Sequence, residues 1–145
     1  MPNSSNMLVF EALLHDDGTS LKALVDTGAS ENFISEACIL RLGLSQRVVI
    51  SDEDIVIRLA TGITRVEPRR IIRLKISLQG FNGFEEFYVL KMDDKYDIII
   101  GMPWLRRHGP QIDWVNSLLI RNELFPDVST SASLETIVNG ISDCD

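Results

Sequence analysis

Apolar and polar residues alternate with a short period along most of this chain, which indicates strands rather than helices. In Ile72-Arg73-Leu74-Lys75-Ile76-Ser77-Leu78 the two classes alternate at every step, as in a strand with one buried face. The segment Met7–His15 is also rich in strand-forming residues. It is followed by Asp16-Asp17-Gly18-Thr19, whose Asp-Gly pair is typical of a tight hairpin turn. The returning strand is predicted over Leu21–Val25.

The rest of the chain continues this pattern of short elements separated by turns. Further strands are predicted over Val48–Ile50, Ile55–Leu59, Ile71–Leu78, Phe84–Leu90 and Asp97–Gly101, with Gln79–Gly83 as a turn and a last hairpin between Ile112–Trp114 and Leu118–Arg121. One helix is predicted over Ser35–Leu42, with Ser35 as its cap and Gly43 as its stop. A second is predicted over Pro103–Arg107, with Pro103 in its first turn and Gly109 as its stop. The sum is an all-β, small, closed, barrel-like domain with two short helices.

Composition divides the chain into three parts. Residues 1–6 are polar and are expected to be flexible. Residues 7–125 hold the predicted strands and form the domain. Residues 126–145 are an acidic segment rich in Ser and Thr, expected to be a tail or linker.

Charge and cysteine content narrow the classes of function. The net charge of −7 argues against a nucleic-acid-binding domain, which usually carries a basic patch. The two cysteines, Cys38 and Cys144, lie far apart, which favours free thiols and gives no zinc motif. Residues 1–6 do not resemble a secretory signal, and no apolar run is long enough to span a membrane. We expect an intracellular, cytoplasmic protein with no metal, no nucleic acid and no membrane among its partners.

Several polar and aromatic residues have ordinary structural interpretations. The pairs Glu85-Glu86 and Arg106-Arg107 are expected to be solvated surface. Trp104 and Trp114 are expected in the core or on a dimer surface rather than in a ligand site.

The segment with a chemical signature is Asp26-Thr27-Gly28, which follows the apolar strand Leu21–Val25 and precedes Ala29-Ser30. An Asp carboxylate can hold and activate a water molecule, a Thr hydroxyl can brace the loop, and Gly lets two backbones approach closely. The simpler alternative is a polar loop after a strand, because such a tripeptide arises by chance in a chain of this length at a rate on the order of a few per cent.

One such carboxylate alone would be an ordinary ionised Asp. Two carboxylates about 3 Å apart cannot both ionise, so they share one proton, and one acts as base while the other acts as acid. The sequence contains one Asp-Thr-Gly loop. The second carboxylate is therefore predicted to come from a second copy of the chain, related by a two-fold axis.

Four segments together resemble the retropepsins, specifically the protease domain of gypsy-type long-terminal-repeat retrotransposons. Val25–Ser35 is similar to the catalytic loop and the strand after it, and Leu59–Gly62 to the turn of the flap hairpin. Asp97–Leu105 resembles the late buried strand and helix, and Pro110–Trp114 the segment that follows. The match runs from about Met7 to Leu124 in the family's order.

The resemblance implies a role for each matching residue. Asp26 would be catalytic, with one contributed by each subunit, and Thr27 would hydrogen-bond across the dimer beneath the two aspartates. The remaining residues fall into two groups: substrate contacts at Gly28, Ala29, Ser30, Thr61, Gly62 and Ile63, of which Gly28 also supports the loop, and structural support from Ile99, Ile100 and Gly101. No cofactor is implied.

The sequence therefore predicts a homodimeric aspartic endopeptidase that processes a retroelement polyprotein or another peptide substrate through a water held between two Asp26 carboxylates. The alternative is a catalytically silent dimerisation or peptide-binding module with the same fold. A third possibility, a small-ligand β-barrel, does not account for the Asp-Thr-Gly loop. The intact acid weighs against the silent module.

Overall fold

The fold was analysed in a computed structural model, which describes residues 7–58, 62–92 and 95–121. The nine strands in this part are β1 (Met7–Leu14), β2 (Ser20–Asp26), β3 (Phe33–Ser35), β4 (Val49–Arg58), β5 (Thr64–Leu78), β6 (Phe81–Leu90), β7 (Ile98–Ile100), β8 (Gln111–Asp113) and β9 (Leu118–Ile120). The two α-helices are α1 (Glu36–Arg41) and α2 (Met102–His108). The predicted N-terminal segment, the flap-turn residues 59–61 and the tail 126–145 lie outside the described residues.

The first hairpin forms as the sequence predicts. Strand β1 pairs antiparallel with β2, from Met7 opposite Asp26 to Leu13 opposite Ser20. At the turn Gly18 has a φ of 74°, a value that glycine adopts without a Cβ penalty. The Asp17 carboxylate accepts a hydrogen bond from the Thr19 amide at 2.9 Å, so a side chain within the turn stabilises it.

The main sheet closes on itself. Its strand order is β1-β2-β7-β3-β6-β5-β4, and β1 also pairs antiparallel with β5 through Ala12 opposite Leu78. Six strands therefore form a ring, and β4 extends from it on the outer side of β5. This confirms the all-β, closed, barrel-like architecture, whose core is filled by alternate side chains of the ring strands.

A short apolar strand runs through the middle of the sheet. Strand β7 pairs parallel with β2 and antiparallel with β3. Ile98 and Ile100 are fully buried, and Ile99 points to the other face of the sheet. The prediction of a buried strand at Asp97–Gly101 is confirmed. Its position between β2 and β3 brings the end of β7 beside the loop that leaves β2.

The predicted capping and stop residues lie at the ends of both helices. The Ser35 hydroxyl accepts a hydrogen bond from the Cys38 amide at 2.9 Å and so caps α1. Gly43, just beyond α1, has a φ of 66°. Helix α2 has Pro103 in its first turn and ends at Gly109 in the left-handed conformation, whose amide donates to the Leu105 carbonyl at 2.8 Å.

The long hairpin of β4 and β5, called the flap hairpin below, differs from the prediction. The sequence predicted separate strands at Val48–Ile50 and Ile55–Leu59, but β4 is continuous from Val49 to Arg58, with a register irregularity between Ile50 and Asp54. Polar residues in this stretch break the apolar pattern without breaking the strand, because β4 is an edge strand with most of its side chains exposed.

Two more boundaries differ. Strand β5 begins at Thr64 and runs through Pro68, so the strand predicted from Ile71 is longer than expected. Strand β6 begins at Phe81, three residues before the predicted start at Phe84. The turn itself contains two residues, Gln79 and Gly80, both with positive φ (50° and 86°), the geometry that joins antiparallel strands most tightly.

The expectation that Glu85 is solvated surface is wrong. Its side chain is 1% exposed, and one carboxylate oxygen lies 3.1 Å from Nε of Arg107 and 3.4 Å from Nε2 of His108. The two partners extend from the last turn of α2, which covers β6 at this point. A buried carboxylate needs such partners. Arg107 pairs with it while its own side chain stays 61% exposed, as expected for a surface arginine. Trp104 is buried in the core, as expected.

Candidate active site

Asp26 is the last residue of β2 and stands where the strand leaves the sheet. One oxygen of its carboxylate, Oδ1, accepts a hydrogen bond from the Gly28 amide at 2.8 Å. The Asp26 carbonyl accepts a second bond from the Ala29 amide at 3.0 Å. The loop therefore turns around the aspartate and holds its carboxylate with backbone donors. The side chain is half-buried and faces an open cleft.

The loop is braced from behind by the chain that leaves β7. The Met102 amide donates to the Ala29 carbonyl at 2.9 Å. Gly101 packs against the same loop so closely that a Cβ at this position would lie 2.2 Å from the Glu31 carbonyl oxygen and 2.7 Å from that of Ala29. Only glycine permits this approach. The placement of Gly101 fits the supporting role that the resemblance implies.

Asn32 is a residue of the site that the sequence analysis did not assign. Its side chain is buried, Oδ1 accepts from the Gly101 amide at 2.9 Å, and Nδ2 reaches the Glu86 carbonyl at 3.4 Å. Its own carbonyl accepts from the Tyr88 amide at 2.9 Å. One amide side chain thus joins the catalytic loop, the β7–α2 junction and β6. The sequence did hold a signal for this role. Asn32 is a polar residue directly before the apolar strand Phe33–Ser35, and a polar side chain buried at such a position pairs with backbone groups.

The cleft above Asp26 has a volume of about 1280 Å³ and lies between the catalytic loop and the flap hairpin β4–β5. Its lining is mostly apolar, with a few charged side chains, as is usual for sites that take extended organic ligands. The lining includes residues of the Asp26 loop, of both flap strands and of the sheet: Gly28, Ala29, Ser30, Ile55, Ile57, Arg65, Lys91 and Ile99.

The structure brings part of the predicted substrate set together. Gly28, Ala29 and Ser30 line the cleft beside Asp26. Gly62, with a φ of 91°, and Ile63, which is 61% exposed, lie at the tip of the flap and are not among the described residues that line the cleft. Thr61 lies outside the described residues. The substrate role of these three flap residues stays a prediction.

Two of the residues predicted to give structural support, Ile99 and Ile100, lie on opposite faces of the sheet. Ile100 is buried in the core beside Val25, its register partner on β2. Ile99, by contrast, lines the cleft rather than the core. Thr27 is half-buried between Asp26 and Gly28 and does not line the cleft. Its hydrogen bond across a dimer stays a prediction.

The other reactive side chain in the described part of the chain lies outside the cleft. Cys38 is a free, fully buried thiol on α1, and burial raises its pKa to about 11. A thiol is nucleophilic only as thiolate, so Cys38 is inert at neutral pH. Among the described residues, no group of three or more His, Cys, Asp or Glu side chains could hold a metal ion.

Comparison with known proteins agrees with this geometry. The model of the PEG10/RTL1 protease domain matches residues 22–125, which is most of the chain and contains the Asp26 loop. The chain belongs to this family of retropepsin-like aspartic protease domains. A curated relative, the Protein DDI1 homolog of Leishmania major, is 33% identical over 100 residues. Those residues are 68% of this chain and 24% of the relative, so the retropepsin-like domain spans about a quarter of that protein's length.

Solved structures share the fold of this retropepsin-like domain. The retroviral protease-like domain of Ddi1 from Leishmania major matches with a TM-score of 0.55 and 24% identity, over 83% of this chain and 98% of that one. A retropepsin-like aspartic protease from Rickettsia conorii matches with a TM-score of 0.54 and 22% identity, over 81% and 83% of the two chains. In the described part of the domain, no helix is long and apolar enough to cross a membrane.

Proposed function

We propose that this domain is a homodimeric aspartic endopeptidase whose catalytic pair consists of Asp26 from each of two copies. The observation that carries the proposal is Asp26 itself: its carboxylate faces a cleft of peptide-binding size, beneath a flap hairpin, in a loop braced by Gly101. Each chain supplies one such loop. The pair forms when the active-site faces of two copies meet across a two-fold axis.

In this proposal the two Asp26 carboxylates share one proton and hold a water molecule between them. The water oxygen attacks the scissile carbonyl carbon while the ionised carboxylate takes a proton from the water. At the same time the protonated carboxylate gives its proton to the carbonyl oxygen. The tetrahedral diol then collapses. The C–N bond breaks as the carboxylate protonated in the first step gives its proton to the amine nitrogen and the other carboxylate takes a proton from a diol hydroxyl, so the pair again carries one proton. The requirement for one shared proton predicts the highest activity at mildly acidic pH.

The residues around the pair take the roles that the family resemblance implies. Gly28 keeps the Asp26 carboxylate in place through its amide, and Thr27 bonds across the dimer beneath the pair. An extended peptide lies along Gly28, Ala29 and Ser30, and the flap tip at Thr61, Gly62 and Ile63 closes over it. Remote contacts of this kind position the peptide for attack.

The finer assignment is an origin in a gypsy-type retrotransposon, with a polyprotein as the natural substrate and an intracellular site of action. It is supported by Gly101-Met102-Pro103-Trp104-Leu105, which follows the gypsy pattern, and by the two widely spaced cysteines.

The test is cleavage of an unstructured protein such as casein, measured across pH and over a series of enzyme concentrations, with and without pepstatin. We expect pepstatin-sensitive cleavage whose rate rises faster than linearly with concentration, because the monomer lacks half of the pair. Asp26→Asn should lower the rate by at least about a thousandfold while the protein remains folded. Asp52→Asn is the matched control, since it removes the same charge from an exposed position of β4 outside the cleft.

Two results would count against the proposal. If Asp26→Asn cleaves as fast as Asp52→Asn, Asp26 is not the catalytic acid. If the unaltered chain is folded and dimeric but cleaves nothing at any concentration, the silent binding module is the better description.

A further inference from the structure

The inner face of the flap carries a charged pair where an apolar lining is expected. Arg65 of β5 stands directly opposite Ile57 of β4, which is buried, and Glu67 stands opposite Ile55. Because side chains alternate along a strand, Arg65 and Glu67 share the face of the hairpin that Ile55 and Ile57 occupy. Arg65, Ile55 and Ile57 all line the cleft. The guanidinium of Arg65 therefore lies in the space between the flap and the rest of the domain.

Arg65 makes two polar contacts through different nitrogens. Its Nη2 donates a hydrogen bond to the Lys91 carbonyl at 3.0 Å, and its Nε lies 3.0 Å from a carboxylate oxygen of Glu67. The Glu67 side chain is only 17% exposed, so the ion pair is partly shielded from water. The charge of Glu67 thus lies beside Nε, and Nη2 holds a backbone oxygen on another part of the domain.

This second contact crosses from the flap to the barrel. Strand β5 pairs with β6 only from Ile71 onward, and residues 64–70 of β5 have β4 as their strand partner. The outer half of the hairpin therefore projects from the barrel without ladder hydrogen bonds to it. Lys91 directly follows the end of β6, on the wall of the cleft. The Arg65–Lys91 bond ties the projecting half of the flap to that wall.

We propose that Arg65 is a positioning residue that holds the flap closed in the free subunit, and that an entering peptide must break its bond to the Lys91 carbonyl. The proposal rests on the proposed peptidase function, because it assigns the cleft to a peptide. A charge-assisted hydrogen bond at a half-exposed site shifts an opening equilibrium by about tenfold. A ligand that binds only the open form then binds more weakly by the same factor, since the competent fraction is smaller.

The deciding experiment is hydrogen–deuterium exchange of the intact protein, which needs no substrate. In Arg65→Ala, amides of Val56–Arg58 and Thr64–Glu67 should exchange about tenfold faster than in the unaltered protein, while amides of β2 and β7 keep their protection. Arg73→Ala is the control. It removes an exposed arginine from the part of the same strand that pairs with β6, where its guanidinium lies over the Phe84 ring, 4.3 Å from the ring centroid. It should leave exchange near the flap tip unchanged.

A second variant guards against misfolding of the first. Glu67→Gln leaves Arg65 in place but removes the charge beside its Nε, so a smaller acceleration is expected at the same amides. Equal exchange in all variants and the unaltered protein overturns the proposal, and so does equal acceleration in Arg65→Ala and Arg73→Ala.

Steady-state cleavage gives an independent readout. Arg65→Ala should lower KM by up to about tenfold with kcat little changed, because the contact opposes peptide entry and does not touch the reacting atoms. A raised KM or a large fall in kcat overturns it. If the unaltered protein cleaves nothing while the flap amides respond as described, the peptidase function fails and the closing role of Arg65 stands.

Discussion

Replacing Gly101 by alanine should disturb the catalytic loop more than any other single methyl group added to the described glycines. The new Cβ would lie 2.2 Å from the Glu31 carbonyl oxygen, 2.7 Å from that of Ala29 and 2.9 Å from the Glu31 carbonyl carbon. All three atoms belong to backbone, which cannot rotate away as a side chain can. The loop and the β7–α2 junction must therefore separate by roughly 1 Å to restore ordinary van der Waals distance.

The cost follows from what that separation breaks. Overpacking of this kind costs about 1–3 kcal/mol. The shift also stretches two hydrogen bonds, from the Gly101 amide to Asn32 and from the Met102 amide to Ala29, each worth about 1 kcal/mol. Alanine recovers about 0.4–1 kcal/mol by restricting the unfolded chain. The net loss in free energy of unfolding is about 3 kcal/mol.

The assay is denaturant unfolding at one fixed subunit concentration, since dimerisation would make stability concentration-dependent. Gly83→Ala is the matched control, because a Cβ there meets only His108 Cε1 at 3.8 Å, an ordinary contact. Its stability should stay within about 1 kcal/mol of the unaltered protein. If Gly101→Ala is as stable as Gly83→Ala, the close packing of Gly101 against the Asp26 loop does not contribute to stability as argued.

Three further predictions concern the loop and the nearby helix. Gly28→Ala places a Cβ 3.3 Å from Oδ1 of Asp26, so the carboxylate must move by a few tenths of an ångström; casein cleavage should fall severalfold, with little change in the unfolding midpoint. Asn32→Ala leaves the buried Gly101 amide without its acceptor and should cost about 1–3 kcal/mol in denaturant unfolding. Cys38, with its pKa raised to about 11, should not react with a thiol reagent at pH values near 8 until the protein is unfolded.

Each of these has its own control. An unchanged cleavage rate in Gly28→Ala would mean that the position of the Asp26 carboxylate is not critical. Asn82→Ala removes an exposed amide whose bond to Gly80 is 3.5 Å long, and it should be nearly neutral; equal losses in the two Asn variants would contradict the role of burial. Thiol labelling is measured in a Cys144→Ser background, and rapid labelling of the folded protein would contradict the burial of Cys38.

Local signals predicted the parts of the fold that local interactions build. The Asp17-Gly18 turn, the Ser35 cap and the Gly109 stop were all predicted, because each depends on groups within a few residues of one another. Hairpin β8–β9 was predicted for the same reason, and the Asp113 carboxylate accepts the amides of Val115 and Asn116 in its turn.

The errors have non-local causes. Polar residues at 51–54 resembled a break in the chain, yet β4 continues because its neighbour β5 supplies the pairing and its free edge faces water. The early start of β5 was missed as well, since Pro68 lies within it and pairs with Asp54 beside the irregular part of the register. Glu85 looked solvated because its partners, Arg107 and His108, come from a helix about twenty residues later.

The candidate site shows the same division. Asp26 was identified from its motif, and the neighbours Gly28, Ala29 and Ser30 follow it into the cleft. The role of Asn32 needed the structure, since its partners lie on β6 and beyond β7. The side of the sheet that Ile99 faces also depends on the register of β7 between β2 and β3.

The parallel pairing of β2 with β7 also has a consequence for biosynthesis. The two strands are separated in the chain by about seventy residues, and closing so large a loop is slow compared with forming hairpins. A nascent chain that has emerged only through β6 possesses Asp26 but not the Gly101 and Met102 backbone that holds its loop. Assembly of the candidate site around Asp26 therefore belongs to the last stage of folding, and an unfinished chain would carry the aspartate without the backbone that braces its loop.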